Sequence, residues 1–153
     1  MKKIILTLSS GVDLDRAVKA SLVAARKGKE AEIVPLYVID DEVPASVSSW
    51  LIYVGFMGDK PSDDYKHTIL KEYRRRAQED LEDAEQKISE VGISCRTILL
   101  EGPLLDTIKK VALAENAELL LLALPGKNEV GSALYHEAAK KLKKEAPCAV
   151  KIV

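Results

Sequence analysis

The sequence has little of what builds most recognisable active sites. In 153 residues it has two cysteines, two histidines, one tryptophan and one phenylalanine. Cys95 and Cys148 stand far apart, with no histidine in ligand spacing beside them. A zinc site needs about four ligands, usually in spaced pairs, so a zinc-centred protein is excluded. The two thiols read as small buried residues in a reducing compartment. No apolar run reaches the roughly 18 residues that would cross a membrane. The first run, Ile4 to Leu6, is followed soon by Asp13 and Asp15 and is too short for a signal peptide, so the expected location is the cytoplasm. An excess of either charge is also missing, the formal net charge being -1. That gives no general pull toward nucleic acid or anionic lipid, and neither is expected as a partner.

Catalytic signatures are missing as well. There is no G-x-S-x-G elbow, no Walker loop and no H-E-x-x-H pair. Ser9 and Ser10 need a base to become nucleophiles, and neither His67 nor His136 is placed to provide one. The expectation is a binding protein rather than an enzyme.

What is present is a regular alternation of strands and helices. Lys3–Leu8, Glu32–Ile39, Ile93–Leu100, Glu118–Leu124 and Cys148–Val153 are predicted strands. Several are runs of Ile, Val and Leu with little polar alternation, as in strands covered on both faces. Between them, Asp15–Lys27 is helical, with Gly28 as its stop. From about Tyr65 to Val91, Leu70, Tyr73, Ala77, Leu81, Ala84, Ile88 and Val91 recur at three and four residues and draw one apolar stripe, ended by Gly92. A third helix starts at Gly102-Pro103, and a fourth runs from about Ala133 to Glu145. Arg74–Arg76 falls among acidic neighbours at helical spacing and reads as an ion-paired, solvated face. Lys140–Lys144 suits the negative end of its helix dipole. The chain is therefore one α/β domain over residues 1–153, an open parallel sheet with helices on both faces, Rossmann-like. Asp41–Asp64 breaks the pattern as a variable insert that carries the lone tryptophan and phenylalanine. Trp50–Met57 within it is either a flap folded on the body, a ligand lid or a surface for a protein partner.

Two strand-to-helix loops carry the chemistry. Leu8-Ser9-Ser10-Gly11-Val12-Asp13 follows the first strand. Small residues there let backbone amides approach phosphate at a helix N-terminus. The same residues also suit a plain tight turn, with Ser10 or Asp13 capping the helix. After the fourth strand, Gly126, Lys127, Gly131 and Ser132 allow the same two readings: turn and cap, or anion contact.

The order of these pieces resembles the universal stress protein family along the whole chain. The resemblance lies in KKIILTL and its helix, Leu36-Tyr37-Val38-Ile39-Asp40 and the insert. It continues through the long charged helix, Leu100-Glu101-Gly102-Pro103, Glu118–Leu122 and Pro147-Cys148-Ala149-Val150. It implies a five-stranded parallel sheet in the order 3-2-1-4-5, with the ligand crevice where the order reverses. It also implies a cytoplasmic stress-response protein that binds ATP or AMP with magnesium. Val38 would offer backbone groups to adenine. Ser9, Gly11 and Asp13 would line one wall, and Gly126, Gly131 and Ser132 the other. A homodimer would pair through Cys148–Val153, an edge strand that is a liability when left bare.

The sequence departs from that family's binding pattern at both loops. Ser9 stands where nucleotide binders carry Asp. In the G-x2-G-x9-G-(S/T) pattern Ala123 replaces the first Gly, and Gly131-Ser132 follows Gly126 too soon. Each lost charge-assisted hydrogen bond is worth about 1.5–3 kcal/mol. The expected site is therefore degenerate, with two or three losses enough to carry affinity from micromolar to millimolar. Ser9–Asp13 also resembles, more weakly, the S-G-G-x-D-S loop of PP-loop ATP pyrophosphatases. That resemblance implies a nucleotide hydrolase with Asp13 helping to hold magnesium. A third possibility is an interaction protein of the same fold, with the crevice filled by side chains.

Overall fold

The computed structural model of the chain describes residues 2–26, 30–40, 63–126 and 132–153, with the backbone alone for 63–67 and 69. Among these, the strands are β1 (Lys2–Leu8), β2 (Ala31–Ile39), β3 (Ser94–Cys95), β4 (Ile98–Glu101), β5 (Leu119–Leu122) and β6 (Ala149–Ile152). The helices are α1 (Leu14–Arg26), α2 (Asp63–Glu90), α3 (Leu104–Ala114) and α4 (Ser132–Glu145).

Every strand pair is parallel. β1 lies in the middle between β2 and β5, β6 flanks β5, and β3 and β4 both pair with β2. The sequence predicts one strand over Ile93–Leu100, and the structure divides it in two. Its register does not change across the break: Glu32 faces Ser94, and Leu36 faces Ile98. Arg96 N–H still donates to the Ile33 carbonyl at 3.3 Å between them. The edge is thus one interrupted strand, and the order expected for five strands, 3-2-1-4-5, is the order found.

Alternation along each strand sends neighbours to opposite faces. Ile4, Leu6, Leu8, Ile33 and Tyr37 pack with Ala17, Val18, Ala77, Leu81, Ala84 and Ile88 of α1 and α2. Ile5, Val34, Leu36, Val38, Leu120 and Leu122 pack with Leu104 and Ile108 of α3 and Ala138 and Leu142 of α4. Both faces are covered, so consecutive residues are both buried, and β5 is four leucines while β1 has an unbroken apolar run from Ile4 to Leu6. Each large side chain buried this way contributes about 1.5–3 kcal/mol. The stripe on α2 follows the expected spacing as far as Ile88. Val91, expected to extend it, lies beyond the helix end and is exposed. Gly92 takes a φ of 80°, the left-handed conformation that closes the helix. Arg75 and Arg76 pair with Glu72, and Arg75 also with Glu79, as the spacing predicts; Arg74 reaches instead to Glu101 on β4.

Two polar contacts fix the ends of the sheet. At the amino ends of the strands, Glu115 after α3 accepts from Lys3 of β1 at 3.1 Å and from Arg96 at 2.5 Å, and Arg96 also lies 3.5 Å from Glu32 of β2. At the carboxyl ends, Asp40 follows β2 and is buried. Its Oδ2 accepts from the Leu104 N–H at 2.8 Å. Pro103 is the N-cap residue of α3 and has no side-chain cap of its own, so a carboxylate from a distant strand serves instead.

Arg96, and then Lys3, hold the Glu115 carboxyl below its ordinary value of 4.5. That stabilisation is present at neutral pH and is lost as the pH falls through the lowered folded value. Glu115→Gln should cost about 0.5–1 kcal/mol in urea unfolding at pH 7. The gap to wild type should close on acidification and shrink in high salt. Asp40→Ala should cost more, about 1–2 kcal/mol, because it strips a buried helix start of its cap. An equal loss in the two variants at pH 7 would contradict this ranking.

Candidate functional site

Right-handed crossovers bring the starts of α1, α3 and α4 to the carboxyl end of the sheet. The order of strands reverses at β1, which opens the crevice there. The first loop is a tight turn. Gly11 has a φ of 83°, a conformation that favours glycine, and the Val12 N–H donates to the Ser9 carbonyl at 3.4 Å. Asp13, rather than Ser10, caps α1: its Oδ1 accepts from the Arg16 N–H at 3.1 Å. Asp13 is exposed and engaged by its own helix, which gives the pyrophosphatase reading little to use. No group of three His, Cys, Asp or Glu among the described residues is placed to hold a metal ion. Ser9 is different. It is 2% exposed, and among the described residues its hydroxyl has no hydrogen-bond partner. Such a group costs about 1–3 kcal/mol unless something satisfies it.

The second loop leaves β5 through Ala123, Leu124, Pro125 and Gly126. Ala123 is buried, so its methyl group is part of the core where the family pattern has glycine. His136 of α4 reaches back, with Nε2 3.3 Å from the Pro125 carbonyl, and thereby ties α4 to this loop. Lys127 and Gly131 lie outside the described residues. Ser132 is the first residue of α4 and is buried, and the first turn of that helix has no acidic side chain. Of the three helix starts, those of α1 and α3 are capped by Asp13 and Asp40. The start of α4 has Ser132 and no acidic side chain in its first turn.

Beneath α4 the crevice is nearly closed. The Tyr135 hydroxyl donates to the Val38 carbonyl at 3.3 Å. The space left between Tyr135, Thr7, Leu8, Val38 and Ala123 is about 10 Å³. That is about one water probe, far below the several hundred Å³ of a ligand pocket. Burial, and after it the nearby Asp40 carboxylate, raises the Tyr135 phenol above its ordinary pKa, so it stays a protonated donor. A larger groove of about 290 Å³ opens next to it between α3 and α4, lined by Asp40, Leu104, Leu105, Leu134, Glu137 and Lys141.

Of the residues expected at the site, Ser9, Val38, Gly126 and Ser132 come to the carboxyl end of the sheet. Gly11 and Asp13 build the α1 turn beside them, while Gly131 and the Trp50–Met57 segment lie outside the described residues. At this end of the sheet the Ser9 hydroxyl is without a partner among the described residues, while the space around Tyr135 and Val38 is nearly filled. Tyr135 and Asp40 went unassigned in the sequence. A usable signal for Tyr135 was present: it is the one aromatic residue in α4 and lies one turn after Ser132.

The profile of the Universal stress protein family matches residues 1–153. A universal stress protein of Methanothermobacter thermautotrophicus is 29% identical over 156 residues, covering 100% of this chain and 96% of its own. A family member from Burkholderia pseudomallei has the same fold, with a TM-score of 0.70 at 21% identity, over 99% of this chain and 95% of that one. An Arabidopsis thaliana family protein, solved with AMP bound, superposes with a TM-score of 0.59 at 16% identity, over 100% of this chain and 91% of its own. The whole-length family match and the parallel sheet reversing at β1 lead to one assignment: this chain belongs to the universal stress protein family.

Proposed function

We propose that the chain is a cytoplasmic binding protein of stress response, not an enzyme, with a degenerate adenine-nucleotide site where β1 and β5 diverge. The observation that carries this reading is the buried Ser9 hydroxyl, without a partner among the described residues, at the same end of the sheet as an α4 start that has no acidic residue in its first turn. A phosphate satisfies both, because a helix N-terminus attracts negative charge and a serine hydroxyl can donate. The AMP in the Arabidopsis thaliana protein supports the same ligand class. Ser9 in place of Asp, and the short spacing from Gly126 to Ser132, argue for AMP or ATP held weakly. Magnesium would come with the triphosphate, because the acidic residues nearest the phosphate side already cap helices.

A second reading draws on Tyr135. If its ring is a permanent part of the core, the protein is an interaction module and the crevice takes no ligand. Titration calorimetry separates the two. The first reading expects AMP or ATP to bind with a dissociation constant of about 0.1–1 mM. Gly126→Phe should abolish that binding and leave the melting temperature nearly unchanged. No heat with either nucleotide, or unaltered binding in Gly126→Phe, counts against it.

β6 supports a homodimer. Among the described residues it pairs on one side only, with β5. Ala149, Lys151 and Ile152 are exposed on it. A bare apolar edge is a template for a second copy. The protein should therefore run as a dimer in solution scattering, and Val150→Pro should yield a folded monomer, since proline removes a ladder N–H. A dimer unchanged in Val150→Pro would place the interface elsewhere.

A further inference from the structure

This inference rests on the nucleotide reading and concerns its control. We infer that Tyr135 is a displaceable occupant of the base side of the crevice, and that a nucleotide enters only when the Tyr135 ring swings into the groove between α3 and α4. Three observations point the same way. The Tyr135 hydroxyl holds the Val38 carbonyl at 3.3 Å, so a strand-end acceptor is already taken. With the ring in place only about 10 Å³ remains, so no base fits beside it. The ring also has somewhere to go. The groove beside it measures about 290 Å³ and shares Leu104 and Ala138 with the crevice.

The groove has an acceptor as well. The Asp40 carboxylate lines it and lies near enough to act on the Tyr135 phenol. That carboxylate already accepts from the Leu104 N–H. A ring that swings into the groove brings its hydroxyl toward this carboxylate. Tyr135 is well placed to change rotamer. It is only partly buried, one turn into α4, and next to the Ser132 end that would hold phosphate.

The closed arrangement lowers apparent affinity by the fraction of molecules that are open. Truncating the ring removes that factor. AMP binding by calorimetry should be at least about tenfold tighter in Tyr135→Ala than in wild type. Tyr135→Phe keeps the ring but not its hydrogen bond, and should bind about two- to tenfold tighter. It also covers the case in which Tyr135→Ala folds poorly. Fluorine NMR of protein labelled with 3-fluorotyrosine gives a direct readout, with the Tyr135 signal assigned by its absence in Tyr135→Phe. That signal should move toward the solvent-exposed position as AMP is added.

Wild type and both variants binding AMP equally, with the Tyr135 signal unmoved at saturation, would overturn the displaceable ring and leave the nucleotide site standing. No binding in wild type, Tyr135→Phe or folded Tyr135→Ala up to about 10 mM AMP would overturn both.

Discussion

The starts of α1, α3 and α4 meet at one end of one sheet, and the places of Asp13 and Asp40 answer to that. The geometry is forced. Parallel strands joined by right-handed crossovers leave every helix start at the carboxyl end. Each start leaves N–H groups without intrahelical partners and a partial positive charge. α1 meets this locally, with Asp13 accepting from the Arg16 N–H. α3 cannot, because its N-cap is Pro103, and it borrows Asp40 from the end of β2. α4 starts with a buried serine and no acidic residue in its first turn. Two of these three starts are thus met by carboxylates of the chain, and the first turn of the third has none.

The strands were legible because both faces of the sheet are covered. Leu120 and Leu121 point to opposite faces, and both are essentially buried. That constraint writes itself into the sequence as an unbroken apolar run. The stripe on α2 was legible for the analogous reason at the helical period. The break between β3 and β4 was not, because Arg96 keeps its backbone bond to β2 while its side chain turns to Glu115 and Glu32. A strand pattern records apolar burial and has no mark for a polar tie to a neighbouring helix.

The site was legible in its local parts only. Gly11 and Asp13 form a turn and cap within a few residues, so their types announce their roles. Asp40 and Leu104 are 64 residues apart in sequence, and Val38 and Tyr135 are 97 apart. Nothing near Asp40 distinguishes a helix cap from an ordinary loop aspartate. Nothing near Tyr135 tells a core aromatic from one that closes a crevice. Such pairs exist only once the sheet has set the distance between them.

On the nucleotide reading the crevice has two independent weaknesses. The short spacing from Gly126 to Ser132 leaves fewer backbone donors for phosphate. Tyr135 takes the Val38 carbonyl on the base side. The first is written into the sequence as the spacing from Gly126 to Ser132. The second, on the proposal above, is an equilibrium between two arrangements of one ring. While the crevice is closed, the buried Ser9 hydroxyl stays without a partner among the described residues. A phosphate that reached Ser9 would relieve that cost. The closed form is held by one hydrogen bond and some packing, and a phosphate that satisfied the Ser9 hydroxyl would offset part of that. A side chain held by so little can act as a gate and not as part of the core.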